Sequence, residues 1–235
     1  LDLSNRTVIP GVLDLTSTIG LGSASTPETP GRPGQGASIP PVGRAQGLDP
    51  SRAIANELRL GSADLKAARE AGVTAVLVAP NRGAFRGQSA LVPSRDSADQ
   101  GSIIRAPVGM HLGFQGAQGG YPGSLLGVIA YQRQGFYDAM RYGQLMDRWR
   151  ANPRGLARPE YDPGLDALVS VVRGTLPVFF DANLENEVRR AAKIAKEFGF
   201  KLTIVGATEG WRALDAVAGR TLVVSVNFPK APEAT

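Results

Sequence analysis

From position 176 onward the chain alternates short apolar runs with amphipathic stretches, and that alternation leaves few folds open. Residues 176–180, 201–205 and 221–226 are largely apolar and strand-like, while 185–198 and 209–218 carry apolar residues at helical spacing. Apolar strands separated by amphipathic helices are what a parallel sheet covered by crossover helices requires. The rhythm begins earlier. Residues 51–60 and 62–71 read as helices, the second with Ser62 as N-cap and Gly72 as stop, and 74–78 follows as a buried strand. A run over 7–15, with Val8, Ile9, Val12 and Leu13, reads as a first buried strand. Residues 103–114 hold one or two short strands around Pro107-Val108-Gly109, and 166–172 is helical. The class is α/β.

Between these elements lie loops. The chain contains 29 glycines and 17 prolines, about a fifth of its 235 residues, which excludes a helical bundle. Residues 20–50 hold 13 of them and show no period of 2 or 3.6, so they read as one long Gly/Pro-rich loop. Residues 80–100 read as a second loop. Ser124 then opens the longest helix, to about Arg150, which carries Tyr131, Arg133, Tyr137, Arg141 and Trp149. Packing against a sheet accounts for its apolar stripe, and its aromatic and arginine content makes those five residues the candidate interface with a partner protein.

The chemistry open to the chain is narrow. With no cysteine, disulfides, thiolate nucleophiles and sulfur-ligated metals are excluded. His111 is the single histidine, so a His-rich metal site or a Ser-His-Asp triad would rest on it alone. A lone histidine with no securely placed acidic partner reads as structural before catalytic. The net charge of +5 comes from 26 basic and 21 acidic residues, with the arginines scattered, which argues against nucleic-acid binding. No apolar run approaches the ~20 residues that span a bilayer. The opening Leu1-Asp2-Leu3-Ser4 reads as a processed or excised start. Gly20-Leu21-Gly22 and Gly34-Gln35-Gly36 open no helix and read as loop glycines, and Ser89 lacks a base in reach.

Several fragments nevertheless fall in a recognisable order. Pro10-Gly11-Val12-Leu13-Asp14 is followed by Thr16 and Thr18. Then come Ala71-Gly72-Val73-Thr74, Gly87-Gln88-Ser89-Ala90, Arg173-Gly174 with Leu176-Pro177-Val178, Glu197-Phe198-Gly199, and Thr208-Glu209-Gly210-Trp211-Arg212. Together they resemble the metal-dependent amidohydrolase superfamily, in its imidazolonepropionase-like branch, over most of residues 8–228. The resemblance implies an incomplete (βα)8 TIM-like barrel with long Gly/Pro-rich loops. It implies one domain over 1–235, lacking the family's small N-terminal β domain and its last barrel strand. Family members hold one or two divalent metals through histidines at strand ends. Here those positions read Thr16 and Thr18, then Asp181 and Asn183, then Gly206, and the family's general-base Asp would lie beyond Thr235.

Threonine, asparagine and glycine cannot replace imidazole on a catalytic zinc. The resemblance therefore implies a non-catalytic, degenerate member with neither metal nor cofactor, kept as a structural or interaction subunit of a larger assembly. Other protein subunits are the expected partners, a membrane-associated complex among them. Relatives are often exported, which implies a periplasmic location, the cytoplasm being the alternative. Two other readings stay open. One is a hydrolase of cyclic amides or peptides with an oxygen-ligand metal site, using Asp14, Asp181 and His111, with Glu209, Asn183 and the threonine hydroxyls as further donors to a hard cation. The other is a small-molecule binding module in the strand-end mouth. Otherwise Asp14 and Asp181 cap loops or pair with arginines.

Overall fold

The computed structural model describes residues 7, 9–21, 48–95, 102–116 and 121–224. Most of the long loop, the Gly34-Gln35-Gly36 fragment and the end of the last expected strand lie outside them. Among the described residues the fold is mixed α/β, with two sheets and five α-helices.

The smaller sheet has the order β1-β2-β4, with β1 at Val12–Ser17, β2 at Val73–Val78 and β4 at Ala90–Pro93. β1 and β2 are parallel, and β4 runs antiparallel to β2. The larger sheet has the order β3-β5-β6-β7-β8: Phe85–Gln88, Met110–Gly113, Val178–Ala182, Leu202–Gly206 and Thr221–Val223. Its last four strands are parallel, and β3 is antiparallel to β5. Only Ser89 separates β3 from β4, so residues 85–93 leave one sheet and enter the other. The Ser89 backbone bonds Gly109 and Val108 across the junction. The described strands do not close into a barrel.

Five helices pack around the strands: α1 Ala63–Glu70, α2 Leu125–Ala151, α3 Pro163–Val172, α4 Glu185–Phe198 and the short α5 Leu214–Val217. α1 starts where the Ser62 hydroxyl accepts from the Leu65 N–H, and stops at Gly72, whose φ of +90° suits a residue without Cβ. α3 begins earlier than its apolar pattern, at Pro163, because the Asp162 carboxylate caps the Leu165 N–H. On α2 the buried positions Val128, Tyr131, Gln132, Gly135, Phe136, Ala139, Tyr142, Gly143 and Met146 trace one helical stripe. That stripe meets Phe85, Met110, Leu112, Val178, Phe180 and Ile204 from the larger sheet, with α3 and α4 completing the main core. A second cluster gathers Ile54, Leu58, Leu65, Val76, Val78, Ala90 and Val92 beneath the smaller sheet.

Four expectations need correction. Residues 51–60 form a 3₁₀ turn at Ile54–Asn56, with flanking β-bridges at Ala53 and Leu58, because the segment is held by strand backbone instead of continuing as a helix. Residues 80–100 contain β3 and β4. Residues 209–218 break into a 3₁₀ turn at Gly210–Arg212 and α5. β1 is exposed where a buried strand was expected, with Val12 at 56% and Leu13 at 58% of full exposure, since among the described residues neither core cluster reaches its faces. Among the described residues, no helix is long and apolar enough to cross a membrane.

Candidate functional site

Alternation along β5 and β6 sends Met110, Leu112, Val178, Phe180 and Ala182 into the helical core, which turns His111, Gly113, Phe179 and Asp181 to the opposite face. In register, His111 stands beside Phe179 and Gly113 beside Asp181. The His111 and Phe179 rings stack with centroids 4.9 Å apart and planes 5° from parallel. Gly113 has no side chain, and that space is filled by the guanidinium of Arg86 from β3: a Cβ on Gly113 would collide with it. Arg86 is 6% exposed, donates from Nε to the Gly83 carbonyl at 3.2 Å, and from Nη1 to Asp181 Oδ2 at 2.9 Å.

The other Asp181 oxygen is engaged as well. Asn183 Nδ2 donates to Oδ1 at 3.1 Å, and the Thr208 hydroxyl donates to Asn183 Oδ1 at 3.1 Å. A continuous chain Arg86, Asp181, Asn183, Thr208 thus crosses the C-terminal ends of β6 and β7. Gly206 makes room for it, since a Cβ there would strike Asn183 Oδ1, and its φ of +93° favours glycine. Ala207, at φ +49°, takes the left-handed region without that excuse, a local backbone strain at this strand end.

The remaining acids near this edge serve the backbone. Glu187 accepts from the N–H groups of Asn183 and Leu184 at 2.9 and 3.1 Å, and Glu209 accepts from the Glu185 N–H at 3.0 Å. Both occupy the N-terminus of α4, where unpaired amides and the helix dipole favour carboxylate. His111 is 4% exposed and its Nε2 has no hydrogen-bond partner. Burial, then the nearby Arg86 charge, pushes its pKa down to about 3. It is a neutral ring at physiological pH.

The expected site residues therefore divide. Asp181, Asn183 and Gly206 converge in one network, together with Arg86 and Thr208. Thr16 and Thr18 lie on and just after β1, in the other sheet, Thr16 in a left-handed bulge at φ +64°. Asp14 is also on β1, half-buried. Among the described residues, no group of three or more His, Asp or Glu stands close enough to hold a metal ion. Asp181 is already engaged, Oδ2 by the Arg86 guanidinium and Oδ1 by Asn183, so it is not a free carboxylate of the kind a catalytic metal needs. Arg86 was overlooked because residues 80–100 read as loop. The run Phe85-Arg86-Gly87-Gln88-Ser89-Ala90-Leu91-Val92 carries a strand signal that its neighbouring prolines and glycines mask.

The α2 residues also divide. Tyr131 is core, not surface: it is 4% exposed, packs against Phe85 and Tyr121, and burial with Tyr121 and Asp162 pushes its pKa up to about 12. Arg133 and Tyr137 both bond Glu197 of α4, at 2.5 and 3.1 Å, so they tie two helices of this chain together. Arg141 is exposed, and Trp149 is half-buried with Arg158 5.2 Å above its ring.

No known family profile and no curated protein sequence matches the chain. Among solved structures it is similar to an amidohydrolase from Thermotoga maritima, with a TM-score of 0.76 and 22% identity over 95% of this chain. The match covers 59% of that structure's length, so this chain spans less than two thirds of it. The likeness extends through both sheets and their helices: the chain has an amidohydrolase-like fold.

Proposed function

We propose that this chain is a non-catalytic amidohydrolase-like protein, an incomplete (βα)8 barrel retained as a structural or interaction subunit of a larger assembly. The observation that carries this reading is the Arg86–Asp181 ion pair at 2.9 Å, with Asn183 and Thr208 completing it. A strand-end mouth built for metal hydrolysis keeps its carboxylates free for a cation and leaves a coordination position open to water. Here a buried cation of the protein's own takes the carboxylate, and the neighbouring polar groups satisfy one another. The barrel reading draws support from the strand order, which becomes one ribbon from β1 to β8 once residues 85–93 are followed across both sheets. Parallel strands normally lie covered on both faces, and among the described residues β1 and β8 carry exposed apolar side chains on which further polypeptide can pack.

Elemental analysis of extensively dialysed protein, with its native mass and its action on cyclic amides and dipeptides, tests this reading. It expects no stoichiometric transition metal, no hydrolysis, and migration in a particle heavier than the 24.7 kDa chain. A stoichiometric metal that survives dialysis, or hydrolysis abolished by Asp181→Ala, overturns it.

A further inference from the structure

A cavity of about 180 Å³ lies between α2 and α3, at the opposite end of β6 from the Asp181 network: its Arg173 and Thr175 precede that strand. α2 contributes Tyr142, Met146 and Arg150, and α3 contributes Asp166, Ser170 and Arg173, each set at the spacing of three or four that shares one helical face. Tyr142, Gly143, Met146 and Val169 are buried, whereas Arg150, Asp166 and Arg173 are exposed at the rim. The polar groups are incompletely used. Arg173 bonds Asp147 at 2.6 Å, but Arg150 stands 3.9 Å from the same carboxylate. Among the described residues nothing bonds the Asp166 carboxylate or the Ser170 hydroxyl, and the hydroxyl of Tyr142, a residue 6% exposed, has no partner.

Arginines near helix C-termini complement the dipole, and water satisfies charges at a rim. Neither accounts for a buried hydroxyl left unbonded beside a cavity, since such groups are nearly always satisfied. We propose that this cavity binds a small zwitterion, a free amino acid. Its ammonium group bonds Asp166 and Ser170, its carboxylate meets Arg150 and accepts from the Tyr142 hydroxyl, and Met146 and Val169 give its side chain an apolar wall. The loosely held charges are one cation and one anion, so a molecule carrying both signs fits where a plain anion or cation would face a like charge. The size matches as well: the cavity is smaller than the roughly 300 Å³ at which drug-sized sites begin, which selects a ligand of few atoms. This site stands apart from the strand-end network and from the assembly role.

Titration of the whole protein with glycine, alanine, β-alanine and valine tests it, followed by calorimetry and by the NMR signals of the Gly143 and Ser170 amides. At least one amino acid should bind saturably and shift both amides, roughly tenfold tighter than propionate or ethylamine, each of which keeps one charge alone. Asp166→Asn and Arg150→Gln, at exposed positions, should each weaken that binding by about tenfold. Tyr142→Phe should weaken it too, while leaving the Tm of the unliganded protein unchanged or higher, because it removes a buried polar group that lacks a partner. Three results overturn the proposal: no amino acid binds, propionate, ethylamine or glycerol binds as tightly, or binding ignores Asp166→Asn and Tyr142→Phe. Each leaves metal content and assembly mass unchanged, so failure here is distinct from failure of the proposed function.

Discussion

At the scale of single residues, burial without a partner makes His111 informative. Its folded-state pKa lies near 3, while in the unfolded chain it titrates near 6.5. The groups facing it are the Phe179 ring and the Arg86 charge, and the latter opposes protonation further. Below pH 6.5 the unfolded chain binds a proton that the folded chain refuses, so this contribution to stability is complete above 6.5. It falls by about 1.4 kcal/mol per pH unit down to about pH 3. Urea unfolding at pH 7.5 and pH 5.5 should show that loss in the wild type and a shallower dependence in His111→Gln. An identical pH slope in both would show that other groups carry the acid sensitivity. Asp181 matters through its partner: it is only partly buried, but Arg86 is almost wholly so, and the pair keeps that guanidinium out of water without an uncompensated charge.

Among elements, α2 shows how closely a helix approaches its sheet and where it does not. A Cβ added at Gly135 would stand 3.0 Å from Phe85 Cζ, at the centre of the main core. At Gly143 the nearest atoms are 3.4 Å away and belong to Val169 and the end of the Arg173 side chain, which can move. Alanine favours a helix interior over glycine by about 1 kcal/mol, so the two substitutions should have opposite signs. Gly135→Ala should cost about 1–2 kcal/mol because Phe85 is fixed by Tyr131 and Phe136. Gly143→Ala should gain about 0.5 kcal/mol. Chemical denaturation of both variants checks this, and equal effects would mean that helix and sheet are less tightly fitted than the geometry implies. The same helix holds the strand ends through Gln132, which donates to the Ala84 and Gly113 carbonyls and so fixes Gly113 beneath Arg86.

For the molecule as a whole, the described strands form one ribbon in which the end strands β1 and β8 each pair, among the described residues, on one side. β1 carries Val12, Leu13 and Leu15 exposed on both of its faces, with Ile9 just before it. Such an edge invites pairing between copies. The isolated chain should therefore scatter light increasingly with concentration, and Leu13→Lys/Leu15→Lys should suppress that rise while shifting Tm little, since exposed side chains contribute little to stability. Static light scattering and thermal melts in parallel decide the matter; unchanged association would place the sticky surface elsewhere.

Much of this protein was legible in the order of its residues. The α/β class, α2 from its Ser124 cap, α4 over its full length, and the parallel run β6-β7-β8 all follow from apolar period and caps, which act over a few residues. The family resemblance also singles out Asp181, Asn183 and Gly206. What they bond to was not legible. Arg86 lies 95 positions from Asp181, on a strand hidden among loop-forming residues, and only folding β3 beside β5 brings them together across Gly113. Tyr131 and Tyr137, six positions apart on one helix, part company for the same reason: the sheet covers one and leaves the other facing α4. Local sequence sets which element a segment forms, because propensity and capping are short-range. Tertiary packing decides which polar groups meet, because burial and charge pairing depend on neighbours that the chain supplies from far away.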